Sequence, residues 1–223
     1  MYPFVITLFY LTNLSSAASA HRRQFEDVPV RGDYASLLKN HVTWNKLPVT
    51  IYFVPDAEYT GAREKAARKG IDLWVQATDG FVGYKVVDDP DHAQITVRFD
   101  PTNDDGHTTT SYTSRRIMHA RITMGVEQGS ERDLECTAAH EFGHALGLSG
   151  HSSQSRDLMY PMHVMGRAWS ITRRDLNTLA LLYHIDPDVA AAWTPQNSGL
   201  YRYAPRRYRR QENSDGDYPG AAG

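Results

Sequence analysis

Apolar and polar positions change their period several times along the chain, and each change marks an element. The run Leu47-Pro48-Val49-Thr50-Ile51-Tyr52-Phe53-Val54 is β-branched and aromatic and is bounded by Pro48 and Pro55, which predicts a first strand. Trp44 just before it reads as core. From Thr60, a good helix cap, the residues Ala67, Ile71, Trp74 and Val75 recur at i, i+4, i+7 and i+8, the apolar stripe of a helix running to about Ala77 and ended by Gly80. Phe81 to Val87 and Ala93 to Phe99 return to strand character. In the latter Ile95, Val97 and Phe99 alternate with Gln94, Thr96 and Arg98, as in a half-buried sheet. The acidic turn Asp88, Asp89, Asp91 between them reads as solvated. Residues 100–114, rich in Asp, Asn, Gly and Thr, read as a loop. Arg116 to Val126 alternates again, with Met118, Ala120, Ile122 and Met124 inward and His119, Arg121 and Thr123 outward.

A helical period follows. Ser130 with Asp133 can cap a helix whose core stripe includes Leu134, Ala138 and Phe142. Gly143 inside it costs about 1 kcal/mol relative to Ala, so something is expected to pack closely there. A last helix opens near Ser170 or Thr172 as cap, with Leu176, Leu179, Ala180 and Tyr183 as its buried face. Beyond Asp186 the pattern stops. Residues 187–223 hold Pro, Gly, Asn and Ser and the interleaved cluster Tyr201 to Arg210, which reads as a solvated tail; interleaved Arg and Tyr would also suit a polyanion.

Composition narrows this picture. The chain has 223 residues, enough for one catalytic-sized domain with flanks and not for two. A net charge of −2 gives no argument for nucleic acid or an anionic membrane as partner, and the expected molecule is a monomer. The single cysteine permits no intrachain disulfide, and Cys136 reads as a buried core thiol. Residues 1–20 carry the apolar run Phe4 to Leu11 and then Ser15-Ser16-Ala17-Ala18-Ser19-Ala20, which reads as a secretory signal peptide cleaved near His21, with an uncleaved anchor as the alternative because no positive residue precedes the run. The run is short for a membrane span. The expected organisation is a signal peptide (1–20), a short N-terminal segment (21–41), a catalytic domain (42–187) and a tail (188–223).

The chemistry concentrates in His140-Glu141-Phe142-Gly143-His144-Ala145-Leu146-Gly147-Leu148-Ser149-Gly150-His151. Residues four apart stack on one helical face, so His140 and His144 can hold one ion between them. Glu141 is turned about 100° from His140, beside the open coordination position, where a carboxylate can take a proton from water. Gly147 can end the helix in the left-handed conformation and send the chain back, delivering His151 as third ligand. Asp157 and His163 stand as competing donors, since zinc accepts oxygen and nitrogen at similar distances.

With Asp157-Leu158-Met159-Tyr160-Pro161 downstream, the arrangement resembles the metzincin pattern of an HExxH helix, a glycine, a histidine and a Met-containing turn. The stretches Ala138 to Leu148 and Leu158 to Pro161 look like the catalytic core of bacterial matrixin-like (matrix-metalloproteinase-like) peptidases, and the resemblance extends from about Val42 to Tyr183. It implies an α+β fold, a metzincin-like twisted mixed sheet packed on an active-site helix and a backing helix, with a smaller C-terminal subdomain after the zinc motif. It implies a secreted endopeptidase with one zinc ion on His140, His144 and His151, Glu141 as general base, Met159 as the floor beneath the histidines and Pro161-Met162-His163 as a pocket wall. His163 stands where such enzymes usually place tyrosine. The resemblance also implies that residues 116–126 form the edge strand along which a polypeptide substrate lies, an edge offering free backbone groups. The chain departs from the family in spacing, with Gly150 at the usual ligand position and His151 one residue later, read as a one-residue bulge. It lacks the cysteine with which animal zymogens cap the zinc. The loop that carries structural metals in animal relatives offers only Asp104, Asp105 and His107 here, a lesser candidate for Ca²⁺. Rival readings are a metal- or peptide-binding module of this fold without turnover, and a zinc hydrolase acting on a non-peptide amide.

Overall fold

The computed structural model describes residues 32–103, 105–127, 130–162 and 170–197. The signal-peptide reading, the Arg/Tyr cluster, Asp104 and His163 fall outside them. The architecture is α+β. Strands β1 (Val49–Phe53), β2 (Tyr84–Val86), β3 (Ile95–Asp100), β4 (Gly106–Thr113) and β5 (Arg116–Gly125) form one twisted sheet in the order β2-β1-β3-β5-β4. All pairings are parallel except the β4–β5 hairpin. Helix α1 (Gly61–Ala77) connects β1 to β2, α2 (Glu131–Ala145) follows β5, and α3 (Arg173–Leu182) and α4 (Pro187–Ala192) close the described chain.

Local sequence accounts for these elements. Thr60 caps α1 by accepting from Arg63 N, while Ser130 with Asp133 and Thr172 with Asp175 form full capping boxes on α2 and α3. The inward residues Val49, Ile51, Ile95, Val97, Ala120 and Ile122 are fully buried and meet Ala67, Ile71 and Trp74 of α1 and Ala138 and Phe142 of α2 in one core. Trp74 Nε1 donates to Ala139 O across the two helices (2.8 Å), so a large side chain ties them together without leaving its polar atom unpaired.

The structure corrects three expectations about the sheet. Residues 106–113 are strand β4 and not loop: Asp and Asn cluster before Gly106, whereas Thr108, Thr109 and Thr110 are β-branched and suit a pleated surface. The edge of the sheet is therefore β4, and residues 116–125 lie inside it between β3 and β4. Met118 points outward, 61 % exposed, and Ile117 takes the core position. The pairing shifts from Ser111↔His119 to Tyr112↔Ile117, so Met118 is the extra residue of a β-bulge that breaks the two-residue period.

Both expected domain boundaries also move. Residues 32–41 belong to the domain: Tyr34 and Leu38 are buried, and Tyr34 N donates to Thr178 Oγ1 of α3 (3.0 Å). At the other end the chain continues as α4 and as β7 (Gln196–Asn197), which pairs with β6 (Ser170–Ile171). Trp193 is 2 % exposed and its ring lies 5.4 Å from that of Phe81. The guanidinium of Arg173 donates to the carbonyls of Ala190 and Trp193, fastening this end to α3. Trp193→Ala is expected to lower the unfolding free energy by about 3 kcal/mol, the usual cost of emptying a buried indole site. A urea midpoint that does not fall would show that this end of the chain is only laid on the domain.

Candidate metal centre

Helix α2 carries His140 and His144 one turn apart on its inner face, with Nε2 atoms 3.1 Å from each other. The Nε2 of His151 lies 3.2 Å from that of His144. The rings of His140 and His151 are stacked, 22° between planes, and that of His144 stands across them at 83° and 90°. One ligand atom from each can be chosen so that all lie within 4.8 Å, the single such group among the described residues. The three histidines singled out by spacing are thus brought together.

The return of the chain to His151 is a Schellman turn. Gly147 N donates to His144 O (2.9 Å), Leu148 N donates to Gly143 O (3.1 Å), and Gly147 holds φ +106°, where a side chain would be strained. Gly150 then absorbs the extra residue, for a reason other than dihedral freedom, since its φ is not positive. A Cβ at this position would stand 2.1 Å from Leu37 O, so only glycine lets the histidine loop pass against the N-terminal segment. Ser149 closes the same contact: its Oγ accepts from Asn40 N and donates to Asn40 O, each at 2.9 Å.

Two ring orientations are set by backbone carbonyls. His140 Nδ1 is 2.7 Å from Leu158 O and His144 Nδ1 is 2.6 Å from Leu148 O. A carbonyl only accepts, so Nδ1 carries the proton in each ring and both Nε2 lone pairs face the cluster. Burial, the largest cause, depresses His140 to a pKa of about 4 and His144 to about 3, and His151 is lowered by burial and then by the Lys39 ammonium. Neutral imidazoles with converging lone pairs repel one another until a cation lies between them, so the donor set fits a divalent, nitrogen-preferring metal.

Below the histidines lies Met159, fully buried; a Cβ on Gly143 would come within 2.5 Å of its Sδ, which is the close packing that a glycine inside the helix foretold. The Leu158-Met159 turn hangs on Asp175, whose carboxylate accepts from Leu158 N (3.0 Å), Met159 N (3.4 Å), Thr172 N (2.8 Å) and Tyr34 Oη (2.7 Å). Burial and then the neighbouring Asp157 raise its pKa to about 6, against the pull of those donors. Asp157, a competitor for the third ligand, is occupied elsewhere. It accepts from Ser152 Oγ, from Thr172 Oγ1 (2.7 Å) and from Arg174 Nε (3.0 Å), a buried ion pair away from the cluster.

Glu141 is 5 % exposed and accepts from Thr108 Oγ1 of β4 at 2.7 Å. Burial raises its pKa to about 7, Thr108 lowers it, and the Asp105 carboxylate raises it. Glu141 and the histidines open into a cleft of about 510 Å³ with β4 residues His107, Thr108 and Thr110 on one wall and Tyr160 and Pro161 on the other. Thr108 and Asp175 carry no motif signal. Thr108 was hidden in a segment read as loop, and Asp175 showed only as a position three residues after a helix cap. The calcium candidate finds no support: Asp105 and His107, its described members, belong to no metal-holding group among the described residues.

Comparison with known proteins agrees with this geometry. A family profile described as Matrixin matches residues 119–184. Karilysin from Tannerella forsythia is 27% identical over 178 residues, 71% of this chain and 37% of its own length. Metalloendoproteinase 2-MMP of Arabidopsis thaliana is 39% identical over 67 residues, 30% of this chain and 18% of that protein, and Metalloendoproteinase 1 of Glycine max is 45% identical over 56 residues, 25% and 18%. The chain therefore spans well under half the length of these relatives.

Both buried histidines have folded pKa values below the ordinary 6.5, so the stability gained by keeping them neutral is present above pH 6.5 and is lost as pH falls toward about 4 and 3. In chelator-treated protein each should withdraw about 2 kcal/mol between pH 7 and pH 5. Urea unfolding at the two pH values should show this loss, and His144→Ala should lose less on acidification than the parent; an equal loss in both would refute it.

Proposed function

We propose that this chain, which resembles the matrixin-like metzincins, is a secreted zinc endopeptidase, with His140, His144 and His151 holding one zinc ion and Glu141 acting as general base. The observation that carries the proposal is the convergence of three imidazole Nε2 atoms beside a buried carboxylate that opens into the same cleft. A purely structural site has no need of that carboxylate. Bound zinc supplies Lewis acidity that lowers the pKa of a water to about 7 and polarises a carbonyl.

The residues of the chain do the rest. Glu141, raised to about 7, accepts a proton from the attacking water and passes it to the leaving amine, two tasks that a carboxyl near neutrality performs equally well. Thr108 Oγ1 fixes one carboxylate oxygen and leaves the other to the cleft. Met159 and the Asp175-held turn keep His140 from swinging. An extended polypeptide is placed along β4 rather than along 116–126, because β4 is the strand whose outer edge borders the cleft. Secretion rests on the leader-like residues 1–20. Among the described residues no helix is long and apolar enough to cross a membrane.

Metal analysis should find one zinc per chain, and hydrolysis of a quenched peptide should vanish with chelator and return with zinc. Glu141→Gln is expected to keep the metal and lose activity by about 10²–10⁴-fold. His151→Ala should lose most of the zinc, whereas Asp157→Asn should leave it at one per chain. Undiminished turnover in Glu141→Gln, or full zinc in His151→Ala, would overturn the assignment of those roles.

A further inference from the structure

A second groove, of about 630 Å³, shares no lining residue with the metal cleft. Its rim carries Lys46, Arg115 and Arg116, all exposed, and its floor is aromatic, with Trp44 and Tyr183. No Asp or Glu lines it. None of the ion pairs among the described residues includes any of the three cations. This contrasts with the metal cleft, where Asp105, Asp133 and Glu141 stand among the lining residues. In a chain of net charge −2, three cations around one apolar-floored groove are a local feature and not a general basicity.

The rim is held rigid. Thr43 N donates to Arg115 O (3.1 Å) and Ile117 N donates to Thr43 O (2.9 Å), so the segment leading into β1 is stitched to the tip of the β4–β5 hairpin. Lys46, three residues after Thr43, lines the same groove as Arg115 and Arg116. The hairpin that carries Arg115 and Arg116 starts at the catalytic wall, and the groove opens at its tip on the side of Arg116 that pairs with Thr43, not with β4. Strand β4 passes from Thr108, beside Glu141, to Thr113, next to the hairpin tip. At about 3.3 Å per residue, the hairpin tip that carries Arg115 is on the order of 20 Å from Thr108, and a substrate leaving the β4 edge would turn around that tip to reach the groove.

We propose that this groove docks an acidic stretch of the polypeptide being cleaved, an inference that rests on the peptidase reading above. Antiparallel pairing is the more stable ladder, so a substrate laid on β4 runs opposite to it and its N-terminal residues lie at the Thr113 end. The acidic residues that fit are those about six residues N-terminal to the scissile bond, given the strand spacing. The chain's own tail is a poor occupant. Residues 198–223 carry Arg202, Arg206, Arg207, Arg209 and Arg210 against Glu212, Asp215 and Asp217, a positive balance that the groove repels.

The test compares two quenched peptides that differ only upstream, four glutamates against four serines about six residues before the cut. The glutamate peptide should show a KM about five- to tenfold lower at low salt with kcat unchanged, and the gain should fade by about 0.5 M salt as exposed charges are screened. In the triple variant Lys46→Ser, Arg115→Ser, Arg116→Ser the gain should disappear while zinc content and hydrolysis of the serine peptide stay as in the parent. A labelled glutamate-rich peptide without a cleavable bond should bind the parent and not the triple variant by anisotropy. Binding of that peptide by a protein that cleaves nothing would refute the peptidase reading and leave the acidic docking site standing. Equal KM values, a gain retained in the triple variant, a gain only when the glutamates lie C-terminal to the cut, or competition by a sulfated oligosaccharide with no response to glutamate would each overturn the proposal.

Discussion

The histidine cluster depends on one buried carboxylate. Asp175 has no route to water and no lysine or arginine bonded to it, so its charge is met by donors drawn from separate parts of the chain: the Tyr34 hydroxyl, the Leu158 and Met159 amides, and Thr172 at its own helix cap. A buried charge of this kind is tolerated only when its lone pairs are satisfied, and satisfying them fixes the positions of everything that donates. The N-terminal segment, the methionine turn and α3 are consequently registered against one another. The turn in its fixed place presents Leu158 O to His140 Nδ1, and that contact aims Nε2 at the other histidines of the cluster. Orientation of His140 thus begins two contacts away from it.

The third histidine is governed by a different restraint. Its loop leaves α2 through a Schellman turn and passes so close to Leu37 that no side chain fits between them. The hydroxyl of Ser149 bonds both backbone groups of Asn40 and holds the loop there. An additional residue between glycine and histidine would ordinarily push the imidazole past its target. Here the surplus length is taken up against the neighbouring segment, and His151 Nε2 still arrives within 3.2 Å of His144 Nε2.

Much of this was legible in the residue order because it is local. The helices α1, α2 and α3 show apolar stripes and caps within a few positions, and the histidine spacing states its geometry in a single helical turn. What escaped was non-local or phase-shifted. The outward turn of Met118 follows from a bulge that a strict two-residue alternation cannot anticipate. Strand β4 hid because turn-forming residues at one end outweighed threonines whose preference shows only beside a partner strand. Tyr34, Leu38 and Trp193 belong to no sustained apolar period, and nothing in their neighbours says what they will pack against. Thr108 and Asp175 matter only through residues 33 and 17 positions away, Glu141 and Leu158.

The fit between Gly150 and Leu37 means that the histidine loop and the segment 37–40 are complementary surfaces, so that a change of shape in one has to be met by the other. A loop of this length grafted onto another frame would lack the backbone recess that receives it, and a segment grafted without the loop would leave Asn40 with unmatched polar groups. The extra residue and the course of the N-terminal segment are therefore a single structural unit, divided in sequence by more than a hundred residues and joined only in the folded molecule.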